Sequence, residues 1–238
     1  MEINENTQLG TIVADDYRSA KVFSSFGLDF CCGGKTSIAD ACSKKNIEAK
    51  DVINGVVDAC KDVTDTSLAS FANWKLSAQI DYIIERHHSY VLGQVPQLKA
   101  YLHKVANVHG ENHPELIEVF NIFNDVSDEL MSHMNKEEVM LFPKIKSNEA
   151  LTPLENSPSV SHMVAAMESE HTHAGGEFEQ LSALTNNFTP PEDACTTYRV
   201  AFTMLKAFEE DLHMHIHLEN NVLFPQAMEV EQKMIQTA

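Results

Sequence analysis

Six polar side chains stand where apolar ones belong. His88, His133, Glu137, His171, His215 and Glu219 each fall on a stripe whose apolar members recur every three or four residues, the spacing of one helix face. The stripes run Ile80, Ile84, His88, Val91, Val95, Leu98, Leu102; Leu116, Val119, Phe123, Val126, Leu130, His133, Glu137, Leu141; Val160, Val164, Met167, His171, Ala174, Phe178, Leu181; and Leu205, Phe208, Leu212, His215, Glu219, Val222. A buried imidazole or carboxylate without a partner is costly. One such histidine is ordinarily a hydrogen-bonded core residue, but six in register call for a common partner, and a metal ion satisfies them all. The register also chooses among neighbours: His88 over His87, His171 over His173, His215 over His213 and His217, Glu137 over Glu138. The remaining histidines are left to solvent.

An internal repeat adds independent weight. His133-Met-Asn-Lys-Glu137-Glu-Val-Met-Leu141-Phe142-Pro143 matches His215-Ile-His-Leu-Glu219-Asn-Asn-Val-Leu223-Phe224-Pro225, with His-x3-Glu and Leu-Phe-Pro at identical spacing. His88 and His171 are separated by nearly the same interval, so each half supplies one His from its first helix and a His-x3-Glu from its second. Pseudo-twofold halves of this kind build a two-metal centre with two carboxylates placed to bridge. Four imidazoles and two carboxylates without thiolates suit iron, manganese or zinc, with two irons favoured for a helix bundle that binds small diatomics. Six protein ligands, even with an oxo or hydroxo bridge, leave coordination positions open. Glu129 and Asp211, one turn before His133 and His215, and Glu170 beside His171 are candidates to orient ring N–H groups; each reads equally well as a solvated acid.

The elements that must position these residues are helices. Only 9 Gly and 8 Pro occur in 238 residues, too few breaks for an all-β chain. Four long periodic segments, separated by polar or Pro-containing stretches (Asn107 to Pro114, Ser147 to Pro158, Asn186 to Cys195), fit an up-down-up-down bundle over 74–238. Ahead of them, residues 1–66 read as a small helical module. Its short apolar turns comprise Leu9, Ile12 and Val13, then Ala20, Val22, Phe23 and Phe26, with a stop at Gly27, a cap at Ser37, and an apolar face at Val52, Val56 and Val57. A polar stretch over 61–73 has linker composition, with the boundary near 66–73. The fold class is all-α.

The 17 Lys+Arg against 35 Asp+Glu give a formal charge of -18, which repels nucleic acid and anionic membrane surfaces. No apolar run is long enough to span a bilayer, and Met1 to Asn6 open no secretion signal, so a cytoplasmic location is expected. The five cysteines, Cys31, Cys32, Cys42, Cys60 and Cys195, are an odd set without a disulfide framework. Cys31 and Cys32 precede Gly33 and Gly34, which let the backbone approach a partner closely, and Lys35 is near enough to favour a thiolate. They are the candidate catalytic residues, for transient iron transfer, thiol transfer or redox sensing; the alternative is a tight turn of small packed side chains. Cys42, Cys60 and Cys195 read as buried hydrophobes.

The paired His-x3-Glu copies resemble the hemerythrin-like (HHE cation-binding) domain. With the Cys31-Cys32-Gly33-Gly34 loop ahead of them, the chain resembles the RIC family, di-iron proteins for repair of iron centres, over roughly residues 5 to 228. The resemblance implies an N-terminal ScdA-type domain and a di-iron four-helix bundle with His88, His133, Glu137, His171, His215 and Glu219 as ligands. Hemerythrins proper use five histidines and two carboxylates, so this chain is one His short of oxygen carriage. The implied function is repair of iron-sulfur clusters damaged by nitric oxide or oxidants. Donation of iron to a damaged cluster, reduction of nitric oxide, and sensing of oxygen or nitric oxide are the competing mechanisms, and whether the chain is an enzyme turns on the second. The implied partners are damaged iron-sulfur proteins as clients, nitric oxide or oxygen as small ligands, and a second copy in a homodimer.

Overall fold

The computed structural model of the chain describes residues 3–60, 71–152 and 157–237. Among them all regular structure is helical, apart from one isolated bridge between Gln8 and Ser37. The short helices are α1 (Leu9–Asp15), α2 (Ser19–Ser25), α3 (Ile38–Lys45) and α4 (Ala49–Ala59). The long segments follow. The first is α5 (Leu76–Ile83) and α6 (Ser89–His109), joined by a π-turn at Ile84–His88; the second is α7 (Glu115–Lys136) and α8 (Phe142–Glu149), joined by a π-turn at Glu137–Leu141. The third is α9 (Val160–Leu184), and the fourth is α10 (Thr196–Leu218) and α11 (Phe224–Thr237), joined by a π-turn at Glu219–Leu223. The stretch read as a linker lies outside the described residues from 61 to 70, and Phe71–Asn73 form one 3-10 turn with Phe71 buried.

Two compact units divide the chain: Met1–Asp81, Lys144–Val164 and His213–Ala238 in one, Tyr82–Pro143 and Ala165–Leu212 in the other. In the first, the expected caps form. Ser37 Oγ accepts from Asp40 N, and Gly27 ends the α2 turn at φ 63°, a conformation that suits a residue without Cβ. The face of α4 is narrower than its sequence pattern, because Val52 and Val56 are buried while Val57 is 45% exposed. Carboxylates from distant helices replace local caps: Glu149 accepts from Leu76 N and Ser77 N, and Glu231 from Val160 N and Ser161 N.

In the second unit, α6, α7, α9 and α10 meet around aromatic rings. Phe123 lies edge-on to Phe178 and Phe208, those two stack at 5.6 Å, and Tyr90 reaches Phe208 from α6. The expected stripes supply this core with one displacement: Ile84 is only half-buried, and Ile83 is buried instead. The π-turn causes it, since Ser89 N bonds to Ile84 O five residues back and the extra residue rotates the face.

Candidate metal centre

Wide turns deliver three of the six side chains, and His133, His171 and His215 come from regular helix. His88 ends the first π-turn, and Glu137 and Glu219 begin the other two. The sequence explains the latter pair. Pro143 and Pro225 have no N–H for a bond four residues back, and each ring would crowd the carbonyl at that position. A π-turn just before the proline accommodates it, with Phe142 N bonded to Glu137 O and Phe224 N to Glu219 O. The Leu-Phe-Pro of the repeat therefore sets the turn that aims each Glu.

All six residues are buried to 2% exposure or less. In the second unit, Glu137 Oε2 is 3.4 Å from both His88 Nε2 and His133 Nε2, and His133 Nε2 is 2.9 Å from His171 Nε2. Ligand atoms of His133, Glu137 and His171 all lie within 4.8 Å of one another. Two nitrogens each about 2.1 Å from one metal and at right angles would be about 3.0 Å apart, so the His133–His171 spacing suits adjacent ligands of a single ion. In the first unit, His215 Nε2 lies 3.1 Å from Glu219 Oε1. Oxygen and imidazole donors in this density fit iron, manganese or zinc.

Of the three acids expected to orient ring N–H groups, Glu170 does so, though on His133 rather than on its neighbour His171, and Glu138, not foreseen in this role, does so on His88. Glu138 accepts from His88 Nδ1 at 2.7 Å, and Glu170 from His133 Nδ1 at 2.8 Å. Burial alone would raise the Glu170 carboxyl, but its bonds from Lys136 and His133 hold it below the usual carboxylate range. Glu129 instead pairs with His173 on the surface, and Asp211 with His87. A cleft of about 330 Å³ reaches His133 and His171, flanked by Glu129, Lys136, Glu170 and His173.

Two histidines expected in solvent are buried. His87 is 3% exposed because the π-turn rotates it inward. His217, 1% exposed, is covered by Phe30 of the N-terminal module, and burial lowers it to about 4. The α10 face carrying His217 is therefore a second packed face, a feature that a single-stripe reading misses.

The paired cysteines belong to a tight loop. Asp29 accepts from the backbone N–H groups of Cys31, Cys32 and Gly33, and from Cys31 Sγ at 3.2 Å. Cys31 is 4% exposed, and its thiol is pushed up by Cys32 beside it, by burial and by Asp29, contrary to the thiolate expected from Lys35. Cys32 is half-buried. Of the other three, Cys42 is buried as expected, Cys60 is half-buried, and Cys195 is exposed with Sγ 3.2 Å from His109 Nε2. Sequence reasoning passed over Asp29, although an Asp two residues before the Cys pair is the signature of an Asx turn.

Residues 79–227 match the hemerythrin HHE cation binding domain, and residues 5–59 match the ScdA_N domain, a domain of unknown function (DUF542). The chain is 35% identical over 229 residues to the iron-sulfur cluster repair protein YtfE of Yersinia pestis, covering 95% of this chain and 98% of that protein. It is 32% identical over 225 residues to the iron-sulfur cluster repair protein ScdA of Staphylococcus haemolyticus, covering 93% and 98%. No helix among the described residues is long and apolar enough to cross a membrane. The chain belongs to the hemerythrin-like iron-sulfur cluster repair family of the YtfE and ScdA type.

Proposed function

We propose that this chain repairs damaged iron-sulfur clusters by donating iron from a two-iron centre held by His88, His133, Glu137, His171, His215 and Glu219. The observation that carries the reading is the buried convergence of His88 and His133 on Glu137, with His171 against His133. Bound iron supplies an exchangeable cation with open coordination positions. The chain's own residues do the rest. Four imidazoles offer nitrogen donors, Glu138 and Glu170 fix the orientation of two of them, and the packed helices limit water around the carboxylates. The client class, damaged iron-sulfur proteins in the cytoplasm after nitric oxide or oxidant stress, is drawn from the relatives' names and from the family. Cys31 and Cys32 are assigned to the exchange with a client.

Elemental analysis and a visible spectrum on anaerobically purified protein test the centre. About two irons per chain, lost in His133→Ala/His215→Ala, are expected from six such ligands; zinc, or no metal in a folded protein, refutes it. Donation is tested by reactivating an enzyme whose cluster has been nitrosylated, with Glu137→Ala losing the effect. The cleft that reaches His133 and His171 favours a second reading in which nitric oxide itself is reduced. Sustained production of nitrous oxide would support that reading, and a single stoichiometric burst would not.

A further inference from the structure

The two copies of the repeat differ just after the metal-directed Glu. Glu137 is followed by Glu138 and Val139, Glu219 by Asn220 and Asn221. Val139 is 65% exposed. Its counterpart Asn221 is bonded to the cysteine loop. Asn221 Nδ2 donates to Cys31 O at 2.9 Å and more weakly to Phe30 O at 3.4 Å, and lies 3.3 Å from His217 Nδ1. Phe30 in turn packs on the rings of His213 and His217.

The loop is shaped to admit this one side chain. Gly10 N donates to Gly34 O at 2.8 Å, which brings two glycines over the Asn221 amide. A Cβ at Gly10 would fall 2.6 Å from Asn221 Oδ1, and a Cβ at Gly34 would overlap the same oxygen and Phe30 O. The close approach expected of Gly34 is thus to a residue of the same chain, two positions beyond Glu219. Asn221 lies in the π-turn that Glu219 opens, so a change in the setting of that turn is transmitted to the carbonyl of Cys31 through one hydrogen bond.

We propose that Asn221 is a positioning residue that seats the Cys31–Cys32 loop on the turn carrying Glu219, so that occupancy of Glu219 and burial of Cys31 are linked. The seat stands on the bonds above alone, whereas the link rests on the proposed metal-binding role of Glu219. Linkage is reciprocal: a ligand that stiffens the turn holds the loop down, and a loosened loop weakens the ligand's grip.

The test follows alkylation of Cys31 by peptide mass spectrometry in a Cys32→Ser background, on the full chain. In metal-free protein, Asn221→Val installs the residue of the first copy, and Asn221→Asp keeps the size while removing the donor. Each is expected to speed Cys31 labelling about tenfold by easing local opening. Val139→Asn, in the first copy, is expected to leave it unchanged. Circular dichroism melts establish that the variants are folded, and Asn221→Asp decides the question if Asn221→Val does not fold. Unchanged labelling in a folded Asn221 variant overturns the seat. Loading with ferrous iron is then expected to slow Cys31 labelling in protein carrying Asn221 and not in Asn221→Val; equal protection in both overturns the link. Absence of iron binding by elemental analysis refutes the metal centre, while the metal-free comparison still decides the seat.

Discussion

Removing the acids that orient two of the histidines should loosen iron without touching a ligand. Glu138 and Glu170 accept from His88 and His133 at 2.7 and 2.8 Å, distances at the short end for charge-assisted bonds. Loss of such a partner typically weakens a metal site 10- to 100-fold. Both carboxylates are nearly two-fifths exposed, 39% and 38%, so solvent screens them and the lower figure applies. Glu138→Ala and Glu170→Ala should therefore each weaken iron binding about tenfold, or about 1.4 kcal/mol. Competition with a chromogenic ferrous chelator under anaerobic conditions measures this directly. Glu129→Ala is the comparison, because Glu129 pairs with His173 where both are more than half exposed. It should change affinity less than twofold. If Glu129→Ala weakens iron as much as Glu170→Ala, net negative charge rather than ring orientation controls affinity, and the reasoning fails.

Three further outcomes follow from the same contacts. Phe208→Ala removes the ring that joins Phe123, Phe178 and Tyr90 and should cost about 3–5 kcal/mol, read from the denaturant midpoint. Glu149→Ala removes the acceptor for Leu76 N and Ser77 N and should cost about 1 kcal/mol near neutral pH. Burial opposes ionisation of Glu149, but these bonds prevail and its carboxyl titrates below the usual value. Its contribution is thus full above the unfolded carboxylate pKa and fades as pH falls through the lower folded one, so native and Glu149→Ala melts should converge in acid. Pro143→Ala lets the Glu137–Leu141 turn relax toward a regular helix. Iron affinity should fall with helix content unchanged by circular dichroism, and unaltered affinity would show that the proline does not set the turn.

Much of this was legible in the sequence because a buried helix face repeats so regularly. Three of the four stripes are buried at every expected position, from Leu116 to Leu141, Val160 to Leu181 and Leu205 to Val222. The first stripe slipped by one residue at Ile84, since an extra residue in a π-turn leaves no mark in the pattern unless a proline follows, as it does after Leu141 and Leu223. Helix spacing also misjudged the orienting acids. Glu129 and Asp211 are one turn from His133 and His215, yet the acids on His88 and His133 come from other helices, where only tertiary packing brings them. His217 was misplaced for a related reason: one apolar stripe describes a helix with one neighbour, and α10 has a second in the Phe30 loop.

The divergence within the repeat separates the proposed ligands from what surrounds them. His-x3-Glu and Leu-Phe-Pro recur unchanged, because the imidazole, the carboxylate and the wide turn before proline act as a unit. The two positions after each Glu have no such constraint and have taken different tasks. In the first copy Glu138 turns to the ring of His88; in the second, Asn221 turns to the cysteine loop. A strictly symmetric duplication would give two equivalent ends with nothing to couple either to the thiols. The acid gives the first copy a fixed imidazole and the amide gives the second a seat for Cys31, so the copies divide two tasks although His133 of one half and His171 of the other are spaced as ligands of a single ion. Exchanging the pairs, Glu138→Asn with Val139→Asn against Asn220→Glu with Asn221→Val, should then weaken iron in competition with a chelator and speed the alkylation of Cys31 in the same protein. Iron affinity and Cys31 alkylation both unchanged in the folded exchange variant would refute this division of tasks.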